Sequence, residues 1–320
     1  MSTTTTTPSE TKDFGVLTPS DPAMDRRRMI ADKVALVAVS FAFLLAMVPL
    51  VSLIWTVLVN GYLRLNLTFL TTDMVGIFGG KPEGGILHAI VGTLLITAVA
   101  TLISAPIGIF TAIYLVEYGN NGKLAKATTF FVDVMTGIPS IVAGLFSAAL
   151  FTIAVNSAYR AGIMGAVALS VLMVPTVVRS SEEMLRLVPN ELREASYALG
   201  VPKWRTIVKV VLRTAAAGLT TSVMLAIARV IGETAPLLMT VGFIEKMNVD
   251  VLNGRMTTLP VYVYRQYSQG LATCRAGVKN CVPTINYERA WAAALVLIIL
   301  VMLLNVIARV IAKAFAPKGR

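Results

Sequence analysis

Long runs of apolar residues recur along the chain and are separated by shorter polar segments. A helix needs about 20 predominantly apolar residues to cross a lipid bilayer, so these runs predict transmembrane helices. The predicted spans are six: about 35–58, 87–116, 129–155, 161–178, 215–241 and 290–311. Continuous apolar runs such as 290–308 exclude a membrane β-barrel, whose strands alternate in segments of about ten residues. The pattern therefore predicts an all-α polytopic membrane protein with six transmembrane helices.

Polar segments divide the rest of the chain. Residues 1–30 include the tract STTTTTPSE, and we expect them to form a disordered cytoplasmic N-terminal tail. Residues 31–320 then form the transmembrane domain. Within that domain, 181–213 is predicted to be a cytoplasmic helical segment and 243–289 an external loop.

The composition supports a membrane protein, because 56% of the residues are hydrophobic and only 14% are charged. The net charge of +11 does not indicate nucleic-acid binding, because Lys and Arg cluster at the edges of the apolar spans. Basic residues at 26–28 and at Lys33 precede the first span and place the N-terminus in the cytoplasm. Six crossings return the C-terminus to the same side, although the external loop 243–289 also carries six basic residues.

The polar segment between the fourth and fifth spans has a helical pattern in two pieces. Apolar positions at helical spacing run through 180–199, and Gly200 can end that helix with a left-handed cap. Pro202 suits the first turn of a second helix. The segment therefore predicts two short helices joined at a tight corner on the cytoplasmic face. The alternative is an ordinary amphipathic surface loop.

This corner also carries a motif with a defined spacing. Its residues are Glu194, Ala195 and Ser196, then Gly200 after three residues, then Val210, Val211 and Leu212 after nine more. The motif resembles the EAA loop of ABC-importer permeases, with Ser196 in place of the second Ala and Arg213 in place of a Pro. The resemblance implies a type I ABC-importer permease fold. In that family this corner is the coupling helix, which docks into a separate ATPase subunit. The resemblance assigns five residues to it: Glu194, Ala195, Ser196, Gly200 and Pro202.

Three stretches, 135–146, 174–200 and 228–238, resemble the PstA-type permease subunits of phosphate-specific ABC importers. The resemblance implies a bacterial cytoplasmic-membrane subunit of an ATP-driven importer of inorganic phosphate, forming half of the translocation path. The implied partners are a second, PstC-type permease, two copies of a PstB-type ATPase, an extracytoplasmic PstS-type phosphate-binding protein, and phosphate. ATP and Mg would be used by the partner ATPase, and this chain itself would bind no cofactor.

Arg229 and Glu233 are charged residues inside the predicted fifth span. A charge at such depth is costly unless it is paired, so these residues are candidates for a substrate path. Four residues apart on one helical face, they could neutralise each other until phosphate competes for the guanidinium group. The alternative is a structural pair that holds the fifth span to its neighbours.

Three further residues are candidates for the path. Arg179 lies at the inner end of the fourth span, where the positive-inside pattern alone would also place an arginine. Thr136 and Ser140 flank Gly137 and Pro139, which we expect to break the third span and so free polar groups to line a path. The two hydroxyls could equally bond back to the helix backbone.

Both cysteines, Cys274 and Cys281, lie in the predicted external loop. An oxidising location favours a local disulfide, and two free thiols are the alternative. No Cys/His cluster has metal-ligand spacing, so we predict no metal site. A phosphate-binding loop of the G-x-x-x-x-G-K-[ST] type is also missing, so we expect a transport subunit and not an enzyme.

Three other functions remain open at this point. The first is a permease for another oxyanion, such as sulfate or molybdate. The second is a membrane-embedded enzyme acting on phosphorylated lipids, with Arg229 and Glu233 as its site, which leaves the corner at 191–210 unexplained. The third is a sensor that uses the transporter scaffold to report phosphate supply.

Overall fold

The computed structural model describes residues 22–78, 80–120, 122–156, 158–274 and 280–315. Within these ranges the chain forms twelve α-helices and two π-helical turns, and no β-strand. The helices, numbered α1 to α12 in chain order, are Pro22–Tyr62, Leu67–Thr71, Leu87–Ile113, Lys123–Thr136, Ser140–Ala154, Gly162–Arg186, Asn190–Ala198, Lys203–Thr206, Leu212–Val230, Ala235–Thr240, Leu259–Ser268 and Ile285–Phe315. The first π-turn, Tyr114–Tyr118, follows α3, and the second, Ile207–Val211, joins α8 to α9. The prediction of an all-α membrane protein is confirmed.

Among the described residues, five helical segments are long and apolar enough to cross a membrane. They are Arg26–Tyr62, Leu87–Tyr118, Gly162–Arg186, Lys203–Val230 and Ile285–Lys313. The third predicted span, 129–155, is not a straight helix, because α4 and α5 meet at an angle of 106°. Gly137 and Pro139 lie at this bend, as the sequence predicts. A sixth crossing results if α4 and α5 together form one broken span.

The predicted disordered tail, 1–30, is wrong in its second part. α1 begins at Pro22, so 22–30 are helical, while 1–21 lie outside the described residues. A proline at the first helical position already has a helical φ angle, and the Arg and Met residues that follow at 26–29 are good helix formers. The helix therefore starts well before the apolar run that marks the span.

The first part of α1 and the rest of the chain form two compact units, which divide after Trp55. From residue 26 to residue 55 nearly all side chains of α1 are exposed, and large apolar residues lie on all of its faces. A helix that is apolar all round is typical of a membrane span. The helices from residue 56 onward carry the hydrophobic core and the candidate sites.

The fifth predicted span, 215–241, is divided in the structure. One helix runs from α8 through the second π-turn to the end of α9, and α10 is a separate short helix. Pro236 occupies the first turn of α10, where its missing N–H is tolerated and a new helix can begin. As a result Glu233 lies in the connecting turn and not on the helix that carries Arg229.

Two other helices extend beyond the predicted spans. α6 continues past the predicted range 161–178 to Arg186, because Glu182 and Arg186 form an ion pair of 2.6 Å on successive turns and stabilise a polar helix end. α12 begins at Ile285, inside the predicted external loop 243–289. That loop also contains α11. Polar residues at the ends of these helices are not counted in an apolar run, so the run predicts a span that is shorter than the helix.

α6 lies at the centre of the main hydrophobic core and packs against α3, α5, α9 and α10. Glycines allow close approach between these helices, as is usual in membrane bundles. A Cβ atom on Gly108 of α3 would lie 2.6 Å from Cγ1 of Val177 on α6. The most deeply buried apolar residues of this core include Ile96, Ala100, Leu169, Met173, Val177, Ala226, Val230 and Leu237.

A second core lies between α3, α11 and α12, and it includes Tyr262 and Phe69. Beside it the side chain of Arg289 is buried and donates hydrogen bonds from Nη2 to the carbonyls of Lys81 and Glu83, at 2.7 and 2.5 Å. Arg289 is one of the basic residues that fit poorly with an external loop. Because it is buried and hydrogen-bonded, Arg289 has a structural role that does not depend on which side of the membrane it occupies.

Replacing Arg289 by Ala is expected to lower the free energy of unfolding by about 2–3 kcal/mol, because two backbone carbonyls lose a charged donor. The thermal unfolding midpoint of the purified protein measures this effect. Arg309→Ala is the matched control, since Arg309 is an exposed arginine on the same helix. Equal midpoints for the two variants would contradict a structural role for Arg289.

Candidate functional site

Arg229 lies in the last turn of α9, and its side chain is exposed on the surface of the chain. Its Nη1 donates a hydrogen bond to Oγ1 of Thr176 on α6, 3.1 Å away. This bond holds one side of the guanidinium group. The other N–H groups make no hydrogen bond with the residues that the structure describes, and they remain available to an anion.

Arg179 is on the same face of α6 as Thr176, three residues further along. Its guanidinium pairs with Asp133 of α4 and, at 3.0 Å, with Oε2 of Glu182. Asp133 in turn lies three residues before Thr136, the last residue of α4. We call Arg229, Thr176, Arg179, Asp133 and Thr136 the polar track.

The expected pairing of Arg229 with Glu233 is wrong. α9 ends at Val230, and the amide of Glu233 donates to the carbonyl of Val230 at 3.1 Å in the turn that follows. Two residues four apart share a face only where the helix continues between them. Among the ion pairs of the described residues, none joins Arg229 to Glu233.

Thr136 and Ser140 flank the bend between α4 and α5, as predicted. The hydroxyl of Thr136 donates to the carbonyl of Val132 at 2.9 Å, so the alternative of a back-bonded hydroxyl holds for this residue. Ser140 is the first residue of α5 and is partly buried.

The bend at 137–139 and the break at 231–234 lie near the same helix contact. A Cβ atom on Gly144, one turn into α5, would lie 2.6 Å from Cα of Pro236 in the first turn of α10. Measured along α5 or α10, each break thus lies about one helical turn, some 6 Å, from this contact. The two interrupted spans therefore meet close to where each of them is interrupted.

Gly144→Ala is expected to push α10 away from α5, because the new methyl group would overlap the backbone of Pro236. Overpacking of this kind costs about 1–3 kcal/mol, so we expect a lower thermal midpoint and reduced transport. Gly137→Ala is the matched control: there a Cβ atom would meet only the carbonyl of Val134, at 3.5 Å. If both variants behave like the wild type, the close contact is not required.

A cavity of about 430 Å³ opens beside Arg179, between α4, α6 and the first π-turn. Basic residues outnumber acidic ones in its lining, which favours an anion. Its charged lining residues are Lys126, Asp133, Arg179, Glu182 and Arg186. The polar track therefore leads from Arg229 to an open, polar cavity.

The predicted turn at Gly200 is confirmed, but the first of the two predicted helices, 180–199, is divided, because α6 ends at Arg186 and α7 begins at Asn190, after Pro189. α7 ends at Ala198, and Gly200 adopts φ +70°. The amide of Gly200 donates to the carbonyl of Tyr197 at 2.9 Å, and the amide of Val201 donates to the carbonyl of Ser196 at 3.2 Å. These two hydrogen bonds are the pair that closes a helix ending in a left-handed glycine.

Pro202 precedes the first residue of α8, one position earlier than predicted. Arg213, which replaces the proline of the EAA pattern, lies inside α9, and no helix break occurs there. The second helix of the corner is therefore continuous with the fifth span.

Ser196 is buried in the corner, and its hydroxyl lies 2.8 Å from Oγ1 of Thr206. This contact explains how a serine can replace the alanine of the EAA pattern. Glu194 and Ala195 are exposed. Together with them, the corner exposes Leu199 and Trp204, which are 83% and 58% accessible. An exposed apolar patch rimmed by charges marks an interaction surface.

A disulfide joins Cys274 and Cys281, whose Cα atoms lie 5.8 Å apart. The amide of Val282 donates to the carbonyl of Gly80 at 2.9 Å, next to this bridge. The disulfide therefore belongs to the polypeptide around α11 and α12 and is remote in sequence from the polar track.

Sequence reasoning missed Asp133 and Thr176 as members of the polar track. Asp133 has a visible signal, a lone carboxylate within the apolar stretch FFVDVMT. Thr176 has none, because threonine is common in membrane helices and only its contact with Arg229 distinguishes it.

The family described as "Binding-protein-dependent transport system inner membrane component" matches residues 104–320. The phosphate transport system permease protein PstA 1 of Mycobacterium tuberculosis is 44% identical over 286 residues, which cover 89% of this chain and 90% of that protein. PstA of Pasteurella multocida is 41% identical over 232 residues, which cover 72% of this chain and 78% of that protein.

Solved ABC transporters share the fold. A bacterial alginate ABC transporter superposes with a TM-score of 0.63 at 11% identity, over 92% of this chain and 99% of that one. An inward-facing MetNI methionine ABC transporter gives a TM-score of 0.53 at 21% identity, over 73% of this chain and 95% of that one. The chain therefore belongs to the inner-membrane components of binding-protein-dependent transport systems and, among them, to the PstA-type permease proteins of phosphate transport systems.

Proposed function

We propose that this chain is the permease subunit that forms half of the translocation path in an ATP-driven importer of inorganic phosphate. The observation that carries the proposal is the polar track, in which Arg229 is held on one side by Thr176 and stays open on the other. A planar guanidinium offers paired N–H donors that match phosphate oxygens. The names of the relatives at 41–44% identity support phosphate as the anion.

Arg179 is the second cation on the track, and it is occupied by Asp133 and Glu182. In our proposal an incoming phosphate binds first to Arg229, which has free donors. Passage to the cavity beside Arg179 then requires competition with two carboxylates. That competition makes the region around Arg179 a gate and the region around Arg229 a transient binding position.

The proposed partners follow from a path that is only half formed by one chain. A second, PstC-type permease would supply the other half, and two copies of a PstB-type ATPase would use ATP and Mg. A PstS-type phosphate-binding protein would deliver phosphate outside the bacterial cytoplasmic membrane. The basic residues before the first span favour N- and C-termini in the cytoplasm, with the corner on the same side and 243–289 outside.

The mechanism we propose is alternating access. ATP binding closes the ATPase pair, the corner formed by α7 and α8 moves, and the path opens outward to receive the anion. ATP hydrolysis returns the path to the inward-open form. The exposed corner residues Glu194, Ala195, Leu199 and Trp204 supply the surface that contacts the ATPase.

The substrate is tested by uptake into proteoliposomes that contain the complete complex, with the binding protein and ATP. We expect labelled phosphate to accumulate, and excess sulfate or molybdate to leave the uptake rate unchanged. Uptake of sulfate or molybdate in place of phosphate would move the assignment to another oxyanion and would leave the membership in the permease family intact.

A further inference from the structure

We propose that the buried ion pair between Arg193 and Glu117 is the link through which the coupling corner moves the second span. Arg193 belongs to α7, and Glu117 belongs to the first π-turn, at the end of the second span. The inference rests on the proposed function, in which an ATPase docks on the corner. It adds a positioning residue on each side of the contact, and both side chains are largely buried within this chain.

The guanidinium group of Arg193 is bonded on all sides. Its Nε and Nη2 donate to Oε1 of Glu117 at 3.0 and 2.9 Å. Nη2 also donates to the carbonyl of Leu185 at 3.0 Å, and Nη1 donates to that of Val188 at 2.6 Å and to Oδ1 of Asn190 at 3.2 Å. A single side chain of α7 thereby holds the end of α6 and the end of the second span together.

Both partners are withdrawn from solvent, with side-chain exposures of 12% for Arg193 and 5% for Glu117. Separating a buried ion pair leaves an uncompensated charge, which is strongly unfavourable. A displacement of α7 must therefore either carry Glu117 with it or expose both groups to water. The pair acts as a stiff connection, although buried ion pairs by themselves contribute little to stability.

The other side of the corner is connected in the same way to the fifth span. Ser196 of α7 and Thr206 of α8 share a buried hydrogen bond of 2.8 Å. The second π-turn begins directly after Thr206. The second and the fifth spans, which are both bonded to α7, thus have a π-turn at that end, whereas α6, which is bonded to α7 through the carbonyl of Leu185, has none. In the described part of the chain no other helix has a π-turn.

A π-turn widens the helix and occurs often at functional sites. The two π-turns lie at the ends of spans that contact the corner. This position fits spans whose ends can change conformation while the rest of each span stays packed around α6. The link through Arg193 differs from the link through Ser196 because it joins segments 76 residues apart in the sequence. The link through Arg193 therefore transmits motion to the second span, which is not continuous in sequence with the corner.

The test uses the complete complex with Glu117→Gln, whose amide keeps an acceptor for Arg193 but removes the charge. Phosphate uptake and ATP hydrolysis are measured in the same proteoliposomes and normalised to assembled complex. We expect the phosphate transported per ATP hydrolysed to fall about tenfold, the order of effect of a residue on a coupling route. Binding of the ATPase subunit and ATP hydrolysis per assembled complex are expected to stay near those of the wild type, while the thermal midpoint falls because the buried Arg193 loses its counter-charge.

Arg193→Lys is the second variant, because lysine keeps the charge but lacks the planar fork of donors that bonds Glu117 and the carbonyls of Leu185 and Val188 at once. It is expected to lower the same ratio. Glu288→Gln is the matched control: it also replaces a carboxylate by an amide and removes an Arg–Glu pair, that with Arg64 at 3.6 Å, which belongs neither to the corner nor to the polar track. That control is expected to keep the wild-type ratio.

A wild-type ratio in both Glu117→Gln and Arg193→Lys overturns the link. So does a parallel fall in uptake, ATP hydrolysis and thermal midpoint, which indicates a merely structural pair. A wild-type complex that hydrolyses ATP without moving phosphate contradicts the proposed function itself. The two failures are thereby told apart within one experiment.

Discussion

Arg229→Gln is expected to lower phosphate uptake about 100-fold while the complex still assembles and hydrolyses ATP. Arg229 is exposed on the surface of the chain, and one bond to Thr176 orients its guanidinium group. Glutamine removes the charge and the paired donors that match phosphate oxygens. A loss of about 3 kcal/mol, typical for one partner of a close charge pair, corresponds to this decrease.

Uptake in proteoliposomes is the measurement, with ATP hydrolysis recorded in parallel. Arg229→Lys separates the charge from the geometry and is expected to give intermediate uptake, since lysine binds phosphate as a point charge. Arg309→Gln, on an exposed arginine of α12, serves as control and should transport normally. Unchanged uptake in Arg229→Gln would remove Arg229 from the path and leave it a role in joining α9 to α6.

Leu199→Asp is expected to weaken the binding of the ATPase subunit by about 100-fold and to abolish transport. Leu199 is 83% exposed at the tip of the corner, directly before Gly200. A carboxylate there would be buried without a partner on docking, and truncation or disruption of a central interface residue costs about 2–4 kcal/mol. Because the side chain is exposed in the isolated chain, the fold of the permease should not change.

Co-purification of the ATPase with the permease, followed by a binding titration, measures this effect. Leu252→Asp is the matched control, since Leu252 is 60% exposed in the predicted external loop. Its variant should bind the ATPase normally. Normal binding by Leu199→Asp would show that the ATPase does not use the tip of the corner.

The relative positions of Arg229 and Glu233 could not be predicted from the sequence. The spacing of four residues predicts a pair on one helical face, but α9 ends between them and α10 starts anew at Ala235. The end of a helix in a membrane bundle depends on what packs against it. Here Pro236 packs against Gly144, which is far away in the sequence.

The sequence by itself determined the properties that neighbouring residues control: the membrane class, the approximate spans, the bend at Gly137 and Pro139, and the corner at Gly200. Run length, backbone freedom and capping act over a few residues, so their signals are local. Only the tertiary structure decided which side chains meet. Arg179 pairs with a carboxylate 46 residues away and Arg193 with one 76 residues away. Such contacts depend on how the helices pack, and helix packing is a property of the whole bundle that no single stretch of sequence contains.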